Sequence, residues 1–194
     1  MLIVIVSSCK KDKVTVNAVL NSVEIAGENY PTIKTGSQTW TAANFKGPGG
    51  VAYNGVEARP GYGKYYSFNE VRAIVLPAGW RIPSINDYIK LGEAYGVEFT
   101  DHTATNQAAA KKLVSTTPWL NVKGNNESGL NAYPANYIYN NSTPIEGDIS
   151  EFWTSEGNTF SIQESAEKGS LRLLFYDDSS SDGYKFNVRF VKDN

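Results

Sequence analysis

The apolar and polar positions divide the chain into three textures. An apolar run, Leu2-Ile3-Val4-Ile5-Val6, is followed by a polar stretch from Ser7 to Lys13. Val14-Thr15-Val16 and Val23-Glu24-Ile25 then alternate enough for a short strand or an extended linker. Tyr30 to Lys34 and Gly36 to Trp40 predict a hairpin turning at Gly36. Gly47-Pro48-Gly49-Gly50 and Pro60-Gly61-Tyr62-Gly63 mark residues 46–63 as loop. Phe68, Val71, Ile74 and Val75 predict a helix from Tyr65 to Val75, stopped by Pro77. Gly79 to Ile82 reads as extended. Ser84-Ile85-Asn86-Asp87 has capping-box form, because Ser84 can accept from the third helical N–H while Asp87 reaches back. The helix it starts carries Ile85, Tyr88, Ile89 and Leu91 on one side and ends near Gly92 or Gly96. Thr105 to Ser115 predicts a third short helix before Pro118.

After Trp119 the texture changes. Residues 121–150 are rich in Asn, Gly, Ser, Tyr and Pro and carry no helical period. Beyond them, Phe152 to Thr154, Thr159 to Ile162, Ser170 to Tyr176 and Tyr184 to Val191 read as strands, the last two flanking a polar turn over 177–183. The expected class is α+β, with helices in the first half and antiparallel strands in the second.

Composition narrows the chemistry. The 194 residues suffice for one domain with its own core, and 41% hydrophobic and 12% aromatic residues mark a globular chain. With 18 basic against 20 acidic residues, the net charge of −2 gives no basic face for nucleic acid. One cysteine excludes an intrachain disulfide and a Cys-rich zinc site, and one histidine, His102, leaves little for His-based metal or triad chemistry. His102 itself reads as a surface loop residue.

The amino-terminal run is too short to span a bilayer, which needs about 20 apolar residues. Val6-Ser7-Ser8-Cys9 instead resembles a bacterial lipoprotein box, in which cleavage falls before the cysteine and its thiol receives a diacylglycerol. On that resemblance Cys9 is the lipidation site, residues 1–9 are a signal remnant, and Lys10-Lys11-Asp12-Lys13 begins a tether. The competing reading is an apolar leader with an incidental cysteine.

A second resemblance covers residues 30–193. It is carried in order by Gly36-Ser37-Gln38-Thr39-Trp40-Thr41-Ala42-Ala43-Asn44-Phe45, Tyr65-Tyr66-Ser67-Phe68 and Pro77-Ala78-Gly79-Trp80-Arg81-Ile82-Pro83-Ser84. Further along it is carried by Lys111 to Trp119, Ser128 to Ala135, Phe152 to Ser155 and Phe186 to Asp193. This series resembles the Fibrobacter succinogenes major paralogous domain. The resemblance implies a C-type-lectin-like fold, two to three short helices packed on antiparallel sheets with a long loop region, over residues 30–194, with 10–29 as tether or first strand. It implies a secreted or lipid-anchored protein of Bacteroidetes type. Where many members have paired cysteines, this chain has Leu76 and Phe190, so the contact is expected to survive as apolar packing. The Glu-Pro-Asn and Trp-Asn-Asp motifs of calcium-dependent lectins are missing, which argues against calcium-mediated sugar binding.

Candidate binding residues follow. Trp40, Trp80, Trp119 and Trp153 can stack on sugars, but they sit inside the defining motifs and read as core. Asn125, Asn126, Tyr137, Tyr139, Asn140 and Asn141 combine rigid aromatic area with adaptable hydrogen bonding, and are the candidate ligand face. The competing reading is a solvated loop without a ligand. If residues 137–139 are extended, Tyr137 and Tyr139 share one side. Glu146, Asp148 and Glu151 are possible glycosidase acids, expected to be solvated in a loop and not to form a catalytic pair. Asp177, Asp178 and Asp182 lack the EF-hand spacing and read as a turn. The expected function is non-catalytic recognition of a glycan or surface protein by an outer-membrane lipoprotein, with no cofactor and no metal. The alternatives are a structural or assembly role in the envelope and, third, a glycan-active enzyme.

Overall fold

The computed structural model describes residues 21–55, 58–105, 107–144, 147–165, 169–177 and 183–194. The apolar leader, Cys9, Val14 to Val16, Glu146 and Asp178 to Asp182 lie outside the described residues. The amino-terminal strands are β1 (Ser22–Ile25), β2 (Glu28–Thr35) and β3 (Gln38–Thr41); β2 and β3 form the expected hairpin, turning at Gly36-Ser37. Short strands β4 (Val51–Ala52) and β5 (Lys64–Tyr65) pair within the loop region. Helix α1 (Phe68–Arg72), strand β6 (Trp80–Arg81) and helix α2 (Ile85–Ala94) follow. The remainder is β7 (Ile138–Tyr139), β8 (Ile149–Trp153), β9 (Thr159–Glu164), β10 (Leu171–Tyr176), β11 (Tyr184–Lys185) and β12 (Val191–Asp193).

These strands form a five-stranded antiparallel sheet in the order β1-β2-β3-β12-β6 and a three-stranded antiparallel sheet in the order β10-β9-β8. Ribbons β11-β7 and β4-β5 complete the pairing. The fold is thus mostly antiparallel sheet with few helices, and strands occupy the first half as well as the second. Helix α2 joins the sheets. The ring of its Tyr88 lies 5.2 Å from Trp40 on β3 and stacks at 4.4 Å on Phe160 of β9. One apolar cluster runs through these rings with Leu91, Phe152, Ile162, Leu171 and Leu173. A second gathers Ile25, Tyr30, Phe45, Tyr66, Trp153, Phe186, Val188 and Phe190, with half-buried Leu76 packed against it. Leu76 and Phe190 therefore stand in one core, and Trp40 and Trp153 are fully enclosed.

Three elements differ from the sequence expectation. The helix expected from Tyr65 to Val75 is only Phe68–Arg72, because Ser67 caps it in a capping box with Glu70. Tyr65 is drawn into β5, and its hydroxyl donates to the carbonyl of Ala135 at 2.6 Å, leaving Val75 85% exposed. The third helix is a 3-10 helix over Ala108–Lys112; the chain then pairs with residue 132, where Ser115 N–H donates to Ala132 O and Ala132 N–H to Leu113 O. Finally, residues 170–176 and 184–191 are not partners. β10 pairs with β9, whereas β11 pairs with β7 and β12 lies between β3 and β6. The α2 start is as expected, with Ser84 capping and Asp87 reaching back.

Two polar networks fasten this frame. Asp87 accepts from Gln38 Nε2 at 2.6 Å, from Ser84 N and Oγ at 2.7 Å each, and from both terminal nitrogens of Arg81. Burial alone would raise the Asp87 pKa; the Arg81 guanidinium, then Ser84 and Gln38, outweigh it and hold the carboxyl well below the usual range. Arg189 is fully buried. Its Nε donates to Asn44 Oδ1 at 2.6 Å, and its Nη1 donates to the carbonyls of Thr41 at 3.0 Å and Leu130 at 2.9 Å. Arg189→Leu strands these acceptors in the interior. The expected loss is about 3 kcal/mol or more, since each unsatisfied buried group costs roughly 1–3 kcal/mol. Urea unfolding measures it, and a loss below about 1 kcal/mol would contradict the network's structural role.

Candidate functional site

The β8-β9-β10 sheet has two chemically distinct faces. Phe152, Phe160, Ile162, Leu171 and Leu173 point into the main core. By strand alternation the opposite face carries Ile149 and Glu151 from β8, Ser161 and Gln163 from β9, and Arg172 and Tyr176 from β10. The register sets Ile149 and Arg172 on either side of Gln163, and Ser161 beside Glu151. Over this polar face stand the aromatic side chains of the β7-β11 ribbon. Together Tyr137, Ile149, Glu151, Gln163, Tyr176, Tyr184 and Phe186 line a cleft of about 360 Å³.

Hydrogen bonds hold the floor. Gln163 Nε2 donates to Ser161 Oγ and Tyr176 Oη, both at 2.9 Å, and its Oε1 accepts from Arg172 Nε at 3.0 Å and Nη2 at 2.7 Å. Glu151 is 4% exposed, and its Oε1 accepts from Thr159 Oγ1 at 3.2 Å. The wall is made of rings. Tyr184 and Phe186 lie nearly parallel at 5.6 Å, and Tyr137 tilts against them at 5.8 and 5.6 Å. Tyr139, 44% exposed, rests on Tyr184 at 4.5 Å and forms the lip. Burial raises the Tyr137 phenol above its ordinary pKa, and the negative charges of Glu151 and Asp148 raise it further. Burial also raises Asp148.

The candidate ligand residues fall into two places. Tyr137 lines the cleft and Tyr139 borders it; both touch Tyr184, so alternation does put them on one side. Asn140 and Asn141 have φ of 47° and 60°, and Ser142 N–H donates to Tyr139 O at 2.9 Å. They are the left-handed centre of a tight turn behind Tyr139. Asn125 and Asn126 are not among the cleft's lining residues. Asn125 N–H donates to Lys111 O, and Asn126, at φ 50°, accepts from Asn131 N–H at 2.8 Å. Asn131 and Asn136 also have positive φ. Much of the Asn-rich texture thus serves left-handed backbone, which Asn tolerates better than most residues. Gly183 sits opposite this turn at φ 100°, where a Cβ would meet Asn140 Oδ1 at 2.4 Å. Glycine there lets β11 close on β7.

Glu151, Gln163, Tyr176, Tyr184 and Phe186 belong to the cleft but not to the sequence-derived site. Glu151 and Asp148 were expected to be solvated loop acids; instead β8 starts at Ile149, Glu151 is buried in it, and Asp148 Oδ1 is buried. The alternation Ile149-Ser150-Glu151-Phe152-Trp153 was the available signal, since Phe152 in the core turns Glu151 the other way. His102 is exposed, with its ring edge on Phe175, and Asp177 accepts from Asn158 Nδ2 at 2.6 Å. Among the described residues no group of three or more His, Cys, Asp or Glu stands close enough to hold a metal, and no helix is long and apolar enough to cross a membrane.

The two tyrosines differ in burial, and their truncations should separate. Tyr139→Ala is expected to leave stability within about 0.5 kcal/mol of wild type. Tyr137→Ala, losing a half-buried ring, is expected to cost roughly 2 kcal/mol. Urea melts of both variants check this, and equal large losses would mean that both rings serve the core alone.

No curated protein and no solved structure matches the chain. Residues 33–192 match the family model described as Fibrobacter succinogenes major domain. That match takes in the five-stranded sheet from Ile33 onward, both helices, and every residue of the cleft. The chain belongs to the Fibrobacter succinogenes major domain family.

Proposed function

We propose that this chain is a non-catalytic recognition domain of C-type-lectin-like fold, carried on the bacterial cell envelope by a lipid on Cys9. Its cleft takes a group from a glycan or a protein at the cell surface. Short helices packed on antiparallel sheets, with an Asn-rich loop region before β8, support the fold reading. The lipobox-like Val6-Ser7-Ser8-Cys9 supports the anchor. One observation carries the function: a concave, ring-walled cleft over a polar floor that hydrogen bonds hold in place before any ligand arrives. Preorganised aromatic surface with a few fixed polar groups is the usual make-up of a ligand site. Gln163 is spent on positioning, its amide hydrogens on Ser161 and Tyr176 and its oxygen on Arg172.

A structural or assembly role has its own observation. A groove between the β1-β2 turn and α1 is lined by Ala26, Phe45, Pro48, Ile74 and the exposed Val75, with Glu24 and Glu70 beside them. Such a surface suits contact with another protein.

The full chain carrying Cys9→Ser, which removes the acylation site, is to be screened on arrays of glycans and surface-protein fragments. We expect a ligand whose binding Tyr184→Ala weakens about tenfold or more, the scale of a lost aromatic contact. A folded chain that binds nothing, or a ligand indifferent to Tyr184, would turn the reading toward assembly. The anchor is tested separately: the native chain, expressed in a bacterium with lipoprotein maturation, is expected to take up a fatty-acid probe. Equal labelling of Cys9→Ala would exclude lipidation there.

A further inference from the structure

An anchored domain can still turn any side toward its membrane, and a lipid on Cys9 leaves that side open. Resting on that anchor reading, we propose that one face of the five-stranded sheet is the membrane-facing side. There Lys34 and Lys192, with Trp80 beside them, meet the phosphates of anionic lipid headgroups.

Strand register builds this face. Lys34 of β2 stands opposite Thr39 of β3, Thr39 opposite Lys192 of β12, and Lys192 opposite Trp80 of β6. Cross-strand partners share a face, so the four form one row across the sheet. The next row, Ile33, Trp40 and Val191, turns the other way into the main core. Lys34 and Lys192 are both exposed, and they stand two strand spacings apart, about 10 Å. With Asn21, Thr32, Thr39 and Trp80 they line a groove of about 400 Å³.

Charge is the first ground. Among the described residues no Asp or Glu lines the groove, and neither lysine ammonium has a hydrogen-bond or ion-pair partner. Asp193 alternates to the other face, where Arg81 and Gln38 donate to it at 3.0 and 3.2 Å. The stem of Lys192 lies along Gly79, where an added Cβ would meet its Cε at 3.5 Å and its Cδ and Cγ at 3.7 Å. A stem laid on the protein with the ammonium in water is the posture in which lysine reaches a headgroup. Even counting a main-chain carboxylate at Asn194 on the rim, the groove is positive, and Lys10, Lys11 and Lys13 against Asp12 add to it beside the anchor. The chain as a whole carries −2, so the remainder of the sequence is more acidic still and is repelled by an anionic layer.

The point where the chain enters is the second ground. Asn21 O accepts from Thr32 N–H at 2.7 Å and from Thr32 Oγ1 at 2.9 Å, so the chain coming from Cys9 joins the domain at the groove itself. Residues 10–20 span at most about 40 Å. A leash of that reach holds the groove near the bilayer at an effective concentration of about a millimolar. One lysine at an anionic surface strengthens attachment roughly fivefold, and two together about thirtyfold. That is too little to bring down a free domain and enough to choose the side a tethered one presents. Trp80, half-buried against the second apolar cluster and open to the groove, sets an indole at headgroup level, where its mixed character suits the interface.

The sole cysteine of the sequence supplies the test. The full chain is coupled through Cys9 to a maleimide lipid in nanodiscs, made of phosphatidylcholine alone or with one part in three of phosphatidylglycerol. A gadolinium-chelating lipid then broadens the amide signals of residues close to the bilayer. On anionic discs we expect broadening at least threefold stronger at residues 32–34, 39, 79–80 and 192–194 than over the rest of the domain, and an even pattern on neutral discs. The double variant Lys34→Gln, Lys192→Gln changes two exposed side chains and should show the even pattern on anionic discs as well. Should it fail to fold, the unaltered chain at about 0.5 M salt decides, because screening there cuts electrostatic reach to a few ångströms and should level the pattern. An even pattern on anionic discs, or a folded double variant that keeps the preferred face, would overturn the inference. The same preferred face on neutral discs would point to contact between neighbouring copies and overturn it too. The chemical link makes these outcomes independent of acylation in the cell. Fatty-acid labelling that survives Cys9→Ala counts against the anchor, whereas a level pattern on anionic discs counts against the membrane face.

Discussion

The buried guanidinium of Arg189 is the constraint around which the chain is organised. A cation withdrawn from water costs several kcal/mol unless its donors are met. Here, among the described residues, no carboxylate meets them. Backbone carbonyls of Thr41, Leu130 and Asn131 and the amide of Asn44 do so instead, and the guanidinium lies 5.4 Å over the Phe152 ring. Arginine suits this because its planar fork spreads one charge over several acceptors in fixed directions. Burial pushes its pKa down to about 10, still far above neutrality, so the group remains charged. The acceptors come from two distant stretches of the chain, residues 41–44 and residues 130–131. Satisfying one side chain therefore fixes the end of β3, the following loop, the loop at residues 130–131 and the carboxy-terminal segment relative to β8.

The same segment explains how the cleft is built. Phe186, Val188 and Phe190 turn one way, into the second apolar cluster. Asn187 and Arg189 turn the other way and are buried too, Asn187 Nδ2 donating to the carbonyls of Tyr62 and Lys64 at 2.9 and 3.0 Å. An extended stretch with both faces buried has little freedom to shift. Phe186 packs on Trp153 at 4.8 Å and carries Tyr184 with it, so the aromatic wall stands at a set distance from the polar face of β8 and β9. The β7 ribbon closes against it through Gly183 and the Asn140-Asn141 turn. Rigidity at the core thus becomes preorganisation at the site, which lowers the ordering a ligand would otherwise require.

Several features were legible in the sequence because they rest on local rules. The capping box at Ser84 and Asp87, the β2-β3 hairpin and the strands expected at 152–154, 159–162 and 170–176, the first of which begins earlier, at Ile149, depend on residues a few positions apart. The series of motifs from Gly36 to Asp193 was enough to place the family, and alternation placed Tyr137 and Tyr139 on one side, where both touch Tyr184. The Asn pairs were read as ligand groups because composition records what a side chain can do. It does not record whether the backbone has already claimed the residue for a positive φ.

The sequence by itself determined the family, the presence of antiparallel strands with a few short helices, and the Gly36 hairpin, since each follows from periodicity or order along the chain. Only the tertiary structure decided which side chains share a cleft. Glu151 and Gln163 meet through strand register, and Tyr184 joins them from a ribbon more than 20 residues further on, because long-range pairing brings it there. It also decided that Asp193 and Arg81 would meet at 3.0 Å across 112 residues and that Arg189 would lie in the interior. An arginine's place cannot be read from its neighbours in sequence. It goes inside only where distant carbonyls already converge, and that convergence is a property of the fold.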